Sequence, residues 1–145
     1  LTQWDIQGNP NETTLRFLKT GEMFALVRRE KPEDNACYTG ISSPPYTFWT
    51  WSSTQHYVGG PNFIVLPYDN LCISGRLVFN SPYACAEKTF LGSLEFGSVL
   101  PLILLPSFGD CSYPGMVFHD DLLWISYYSS HENGKASIYL ARVKF

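Results

Sequence analysis

A repeat of about 50 residues constrains the fold of this chain more than any other feature of its sequence. Arg28 and Arg76 lie 48 residues apart in matching contexts, as do Leu18 and Leu66. Each copy of the repeat runs from a turn into a strand, a second turn and a second strand. A repeat of roughly 50 residues with four short strands is typical of β-propeller blades. The sequence therefore predicts an all-β fold made of propeller blades, each with four antiparallel strands.

The repeats divide the chain into a lone strand, two complete blades and one incomplete blade. Residues 1–8 are predicted to hold the outer strand of a preceding blade. Residues 9–58 and 59–108 are predicted blades, and residues 109–145 are an incomplete blade of three strands. Propellers usually have ~4 to 8 blades, so about three cannot close a ring. We expect another segment or a second copy of the chain to complete it, because an open end exposes unpaired strand edges.

The predicted strands are short, and Gly, Pro, Asn and Asp separate them. Before the first blade, a single strand is predicted over residues 2–7. Within the blades, the predicted strands are residues 13–18, 23–29, 37–43, 48–52, 62–66, 71–77, 89–94, 99–105, 116–118, 122–128 and 136–143. Apolar residues show no helical period anywhere in the chain.

Composition supports one packed domain and argues against several kinds of partner. The 145 residues are 45% hydrophobic and 16% aromatic, which fits a strand-rich core. The formal net charge is −3 and no run of basic residues exists, so we expect no nucleic-acid partner. No apolar run approaches the ~20 residues of a membrane-spanning helix, so no membrane span is predicted.

The four cysteines do not have the spacing of a zinc site, and no metal or other cofactor is predicted. They are Cys37, Cys72, Cys85 and Cys111. A disulfide between Cys72 and Cys85, or between Cys37 and Cys111, stays open, since pairing cannot be deduced from the sequence.

Polar residues recur at matching places in the three blades. Glu12 and Tyr113 directly precede the predicted inner strands of the first and third blades, and Arg28 and Arg76 end the second strands of the first two. In a propeller these positions face one end of the central channel. Two guanidiniums there would bind a carboxylate or phosphate. A tyrosine hydroxyl beside a carboxylate suggests a nucleophile and its base. Arg29 points to the opposite face from Arg28 and is interpreted as a solvated or salt-bridged surface residue.

Three stretches resemble the exo-α-sialidases (neuraminidases), six-bladed propellers with BNR or Asp-box repeats. The stretches are NETTLRFLKTGEMFALVRR, GGPNFIVLPYDNLCISGR and GDCSYPGMVFHDDLLWISYYSS. The resemblance covers nearly the whole chain and matches the C-terminal half of that fold. It implies that Glu12 is the base, that Arg28 and Arg76 are two arginines of a triad that binds the sugar carboxylate, and that Tyr113 is the nucleophile.

The chain departs from the family pattern in two respects. The first triad arginine and the aspartate acid/base of the family belong to N-terminal blades that this chain does not contain. The Asp-box pattern is degenerate: Ser42 and Trp49 fit it, but Pro44 and Tyr46 stand where Asp and Gly belong. The resemblance therefore implies an incomplete site, and it favours an N-terminal half over a second copy as the missing part.

We expect the chain to be the C-terminal portion of a sialidase-like glycoside hydrolase. The reaction implied is retaining hydrolysis of a terminal sialic acid, or a similar acidic sugar, from a sialoglycoconjugate. A non-catalytic carbohydrate-binding propeller and a structural fragment of a larger assembly stay open as alternatives. Tyr127 and Tyr128 compete with Tyr113 for the role of nucleophile, and only the resemblance favours Tyr113. Asp110 either caps its turn or lines the binding pocket.

Overall fold

The computed structural model describes residues 3–80 and 85–144, and its regular structure is almost all β-strand. Three antiparallel sheets follow one another along the chain, with four, four and three strands. Strands that are consecutive in sequence are neighbours in each sheet. The predicted all-β fold is confirmed. In the described part of the chain, no helix is long and apolar enough to cross a membrane.

The strand boundaries follow the predicted order. The first sheet contains β1 (Pro10–Phe17), β2 (Met23–Arg29), β3 (Tyr38–Ser42) and β4 (Thr50–Ser53). The second contains β5 (Gly59–Val65), β6 (Leu71–Asn80), β7 (Cys85–Glu95) and β8 (Ser98–Leu104). The third contains β9 (Cys111–His119), β10 (Leu122–Ser129) and β11 (Ser137–Lys144). A short 3₁₀ turn, Pro67–Asp69, joins β5 to β6.

Apolar side chains pack between neighbouring sheets. Phe24 and Leu26 of β2 belong to the same buried cluster as Phe63 and Ile73 of the second sheet. A second cluster joins Leu91 and other residues of the second sheet to the third sheet. The inner strand β5 contacts both β1 and β9. Each sheet is thus local in sequence, and burial of its apolar faces places the three inner strands side by side.

Each inner strand carries one extra residue at a similar place in its ladder, after five residue pairs from the hairpin turn in β1 and β9 and after four in β5. In β1, residues 11–12 lie opposite the single residue Arg28 of β2. The ladder shifts in the same way at residues 60–61 of β5 and at residues 113–114 of β9. A β-bulge bends its strand and re-aims side chains, and such bulges are frequent beside active sites. The repeat is therefore reproduced in backbone irregularities as well as in strands.

The bulges correct the predicted positions of two site residues. The sequence places Glu12 and Tyr113 just before their inner strands, whereas they lie within β1 and β9. β9 begins at Cys111 rather than at Met116, because its ladder with β10 resumes beyond the bulge. The ladder continues as far as Cys111 and Ser129.

The predicted strand over residues 2–7 is not found in the described residues 3–7, which have no strand conformation. The ring of Trp4 instead packs against Trp49 and Trp51, with centroid distances of 4.6 and 5.1 Å. Side-chain packing on the first sheet thus replaces the backbone pairing that the pattern suggested. The assignment of this segment to a preceding blade stays a prediction.

The cysteines form neither of the two disulfides left open by the sequence. Cys37, Cys72 and Cys111 are free thiols, and all three are buried. Burial raises the pKa of Cys37 to about 11 and that of Cys72 to about 12. These three thiols therefore act as small apolar core residues.

Replacing Gly60 by alanine tests how closely the inner strands pack at the bulge. Gly60 has a φ of +52°, and a Cβ there would lie 2.5 Å from Ser112 Oγ. We expect G60A to lower the free energy of unfolding by about 2–4 kcal/mol, from left-handed strain and overpacking together. Gly21 is the control, since it has a φ of +85° and nothing within 4 Å of a Cβ. An equal decrease in the free energy of unfolding for G60A and G21A, measured by urea unfolding, would contradict this expectation.

Candidate functional site

The bulges of β1 and β9 bring Glu12 and Tyr113 together across 101 residues of sequence. The Tyr113 hydroxyl donates a hydrogen bond of 2.6 Å to Glu12 Oε1. Tyr113 has a φ of +51°, a left-handed conformation that is uncommon for a bulky residue. Its side chain is not enclosed, as 60% of the residue surface is exposed. The structure therefore contains an accessible phenol bonded to a carboxylate, the pair that the sequence suggested.

Glu12 is held by donors from three different sheets. Its Oε2 accepts a 2.8 Å bond from Arg28 Nη1 and a 3.1 Å bond from the backbone N–H of Gly60. Burial raises the pKa of the Glu12 carboxyl, but the hydrogen bonds from Tyr113 and Arg28 outweigh burial and lower the pKa below 4.5. Glu12 is therefore ionised at neutral pH and can accept a proton from Tyr113.

The hydroxyl of Tyr113 stays protonated at neutral pH. Its hydrogen bond to Glu12, together with the negative charge of Glu12, raises the pKa of Tyr113 above 10. A phenol of this kind is a weak nucleophile unless a base removes its proton during attack. The carboxylate 2.6 Å away is in position to do so.

Arg28 lies between two carboxylates and a phenol. It forms ion pairs with Glu12, at 2.8 Å, and with Glu30. Its Nη2 also donates a 2.7 Å hydrogen bond to the hydroxyl of Tyr57. Burial lowers the pKa of the guanidinium, but these partners outweigh burial and raise it. Only 13% of the Arg28 side chain is exposed.

Arg76 occupies the matching place in the second sheet. Arg28 and Arg76 both lie five residues beyond the first residue of their strands, so the spacing of 48 residues is kept. Nη1 of Arg76 lies 3.4 Å from Glu87 Oε2 and 3.3 Å from Asp110 Oδ1. Each of the two arginines thus already pairs with two carboxylates. Arg28 contacts Glu12 directly, whereas Arg76 is connected to Tyr113 through Asp110 and Tyr128.

Asp110 is bonded to side chains that line the site. Besides Arg76, its Oδ1 accepts a short hydrogen bond from the Tyr128 hydroxyl. The rings of Tyr128 and Tyr113 stack, with centroids 6.1 Å apart. Burial, and then the bond to Asp110, raise the pKa of Tyr128 to about 12. The hydroxyl of Tyr127 points elsewhere and donates to the Pro106 carbonyl.

Arg29 corrects an expectation from the sequence. It was interpreted as a solvated or salt-bridged surface residue; the salt bridge is present, but Arg29 is 1% exposed and not at the surface. Its Nε donates to the carbonyl of Ala36, and its Nη2 pairs with Asp34 at 2.8 Å. The guanidinium also lies 3.8 Å from the centroid of the Tyr38 ring. Arg29 therefore anchors the loop after β2 and is separate from the site.

Tyr57 is a site residue that the sequence did not single out. It lies in the connection between β4 and β5, outside any strand pattern, and its hydroxyl contacts Arg28. A shallow groove of about 180 Å³ opens beside Tyr113 and Tyr128. Among residues 3–80 and 85–144, no group of three or more His, Cys, Asp or Glu side chains is arranged to hold a metal ion.

Replacing Glu12 by glutamine tests the coupling between Glu12 and Tyr113. We expect E12Q to lower the pKa of Tyr113 back toward 10, because Glu12 is the main cause of its rise. In the matched variant D110N, the pKa of Tyr128 should fall from about 12 but stay raised, because burial is the larger cause there. Titration of ¹³C-labelled tyrosines by NMR measures both values. An unchanged Tyr113 pKa in E12Q would show that the two groups are not coupled.

Comparison with known proteins shows the fold. No known protein family matches the sequence, and no curated protein matches it either. Three of the solved structures that it resembles are described here. A Dyadobacter fermentans protein of unknown function is 18% identical, with a TM-score of 0.73 over 94% of this chain and 38% of that one. A Penicillium chrysogenum α-L-arabinanase complexed with arabinobiose is 12% identical, with a TM-score of 0.75; the match covers 96% of this chain and 47% of the arabinanase. The GH93 α-L-arabinofuranosidase of Fusarium graminearum, complexed with arabinobiose, is 12% identical, with a TM-score of 0.70; the match covers 94% of this chain and 45% of the arabinofuranosidase.

The chain spans less than half the length of each of these structures. At such low identity the likeness shows the fold alone. The chain has the fold of part of a β-propeller, of the kind that the two arabinose-sugar hydrolases also have.

Proposed function

We propose that this chain is part of a retaining glycoside hydrolase in which Tyr113 is the nucleophile and Glu12 is its base. The observation that carries the proposal is the 2.6 Å hydrogen bond between an exposed tyrosine hydroxyl and an ionised carboxylate. The fold adds support, because hydrolases of arabinose-containing sugars share it.

The proposed reaction has two steps. Tyr113 Oη attacks the anomeric carbon and transfers its proton to Glu12, while the bond to the leaving group breaks and an acid outside this chain protonates that group. Water then attacks the anomeric carbon and gives its proton to the outside residue, which acts as base. The bond between the anomeric carbon and Tyr113 Oη breaks, and Glu12 returns its proton to the phenol oxygen. Two displacements retain the configuration at the anomeric carbon.

The arginines favour an acidic sugar, such as a terminal sialic acid, as the substrate. Arg28 and Arg76 lie in matching places of neighbouring sheets, and a guanidinium presents a planar fork of donors to a carboxylate. A neutral phenol also suits an anionic substrate, since a carboxylate nucleophile would be repelled by the charge of the sugar. In this proposal the two arginines hold the sugar carboxylate beside Tyr113.

A neutral sugar is the second candidate, and the charge around the arginines favours it. Four carboxylates pair with the two guanidiniums: Glu12 and Glu30 with Arg28, and Glu87 and Asp110 with Arg76. An incoming anion must compete with them, whereas hydroxyl groups would find acceptors. Two of the structural neighbours are named for arabinose-containing sugars. Assays of the intact protein on an aryl sialoside and an aryl α-L-arabinofuranoside distinguish the two candidates. Binding without hydrolysis would favour the carbohydrate-binding alternative.

Replacing Tyr113 by phenylalanine removes the proposed nucleophile. We expect Y113F to abolish hydrolysis, and E12Q to lower kcat by about 10²–10⁴-fold through loss of the base. The control is Y68F, because Tyr68 is 90% exposed and lies outside the site. Release of the aryl group by the intact protein measures all three rates. A Y113F variant that keeps the normal rate would show that another group is the nucleophile.

Replacing either arginine by alanine tests the acidic sugar. We expect R28A and R76A each to weaken binding of N-acetylneuraminic acid by about 2 kcal/mol, because the carboxylate loses a charged donor. Binding of arabinose should change little in either variant. Calorimetric titration of the intact protein gives both affinities. If both single variants bind the acid normally, the arginines do not share one anion.

A further inference from the structure

The direction of the Tyr113 side chain depends on the backbone of the β9 bulge. Residues 113–114 lie opposite the single residue Tyr127 of β10, outside the paired register, so the ladder with β10 does not fix them. Tyr113 has a φ of +51°, and 60% of its surface is exposed, so its own packing does not enclose it. The contacts that hold this bulge therefore decide whether the phenol reaches Glu12.

Strand β5 holds the bulge on both sides of Tyr113. On one side, Ser112 Oγ donates a 2.6 Å hydrogen bond to the Gly59 carbonyl, and Ser112 is fully buried. On the other side, Asn62 Nδ2 donates a 2.8 Å hydrogen bond to the Pro114 carbonyl. The proposed nucleophile thus stands between two residues that are both bonded to the neighbouring inner strand.

The amide of Asn62 has a fixed orientation. Its Oδ1 accepts a 2.9 Å hydrogen bond from the N–H of Phe63 and a 3.1 Å hydrogen bond from Arg16 Nη2. Both of these groups can only donate, and the Pro114 carbonyl can only accept, so one orientation of the amide satisfies all three. The donor to the bulge is therefore held in place before any ligand binds.

The same type of contact joins the first two sheets. Thr14 lies 48 residues before Asn62, and both belong to the fourth pair from their hairpin turns. Thr14 Oγ1 donates a 3.2 Å hydrogen bond to the carbonyl of Pro61, the second residue of the β5 bulge. Asn62 reaches the second residue of the β9 bulge in the same way. In both places the other bulge residue contacts Glu12, through the Gly60 N–H in β5 and through the phenol in β9.

We propose that Asn62 and Ser112 are positioning residues that hold the β9 bulge so that Tyr113 reaches Glu12. They act through the backbone, since their described hydrogen bonds go to main-chain carbonyls on either side of the phenol. Without these bonds, the bulge can relax toward the negative φ that a bulky residue prefers. This inference rests on the proposed role of Tyr113 as nucleophile.

Titration of ¹³C-labelled tyrosines by NMR in N62A, S112A and N62T tests the proposal. Alanine removes the donor, whereas threonine keeps one, as Thr14 does in the matching place. We expect the pKa of Tyr113 to fall toward 10 in N62A and in S112A, because the hydroxyl moves away from the Glu12 carboxylate that raises it. In N62T the pKa should stay raised.

The rates of hydrolysis of an aryl sialoside and an aryl α-L-arabinofuranoside by the intact protein give a second measurement. We expect N62A and S112A to lower kcat about tenfold through misplacement of the nucleophile, with KM nearly unchanged. The matched control is T39V. Thr39 is fully buried, and its Oγ1 accepts a 2.7 Å hydrogen bond from the Gly97 N–H, which also joins the first two sheets. T39V should leave kcat and the Tyr113 pKa unchanged.

Because the proposal requires both bonds, an unchanged Tyr113 pKa in either N62A or S112A would overturn it, even if the other variant did not fold. An equal fall of this pKa in N62A, N62T and T39V would also overturn it, since any loss of stability would then have the same effect. If the wild-type protein hydrolyses neither glycoside, the hydrolase proposal fails, while the tyrosine titration still decides the roles of Asn62 and Ser112.

Discussion

The carboxylate of Glu12 joins three sheets. It accepts from Arg28 of the first sheet, from the Gly60 backbone of the second and from Tyr113 of the third. The buried Gly60 N–H and Arg28 Nη1 would lose this partner without it, and an unpaired polar group that is buried costs about 1–3 kcal/mol. The same contacts that align the inner strands keep Glu12 ionised, so the geometry of the fold and the charge state of the site have one cause.

The site contains two similar chains of polar groups. One runs from Glu30 through Arg28 and Glu12 to Tyr113. The other runs from Glu87 through Arg76 and Asp110 to Tyr128. Stacking of the Tyr113 and Tyr128 rings connects them. Positive and negative side chains alternate along each of these two rows of polar groups, and their contacts hold the side chains in place before any ligand binds. This is the arrangement expected of a preorganised polar site.

Sequence periodicity predicted the all-β fold and the order of its strands well, because strand order and hairpin turns are encoded locally. The 48-residue spacing aligned Arg28 with Arg76, and both stand at the same count from the first residue of their strands. Relative to the bulges they differ by one residue, because Arg28 lies opposite the bulge of β1 and Arg76 lies one residue beyond the bulge of β5. The bulges were missed, since an extra residue in one strand leaves no mark on apolar alternation. Tyr57 was missed for a related reason: it stands in a connection, and its contact with Arg28 bridges 29 residues. Arg29 was misplaced because alternation gives the face of a side chain but not whether a loop will cover it.

Each sheet joins strands that are neighbours in sequence, whereas the site joins residues that are far apart in sequence. This difference has a consequence for how the protein folds. Each meander pairs strands that are neighbours in sequence, so its contacts close short loops and can form early. The bond between Glu12 and Tyr113 instead closes a loop of 101 residues. It can form only after the three meanders have docked. The polar site is therefore assembled in the last steps of folding, and a loosening of the contact between inner strands would disassemble it while each sheet stays intact.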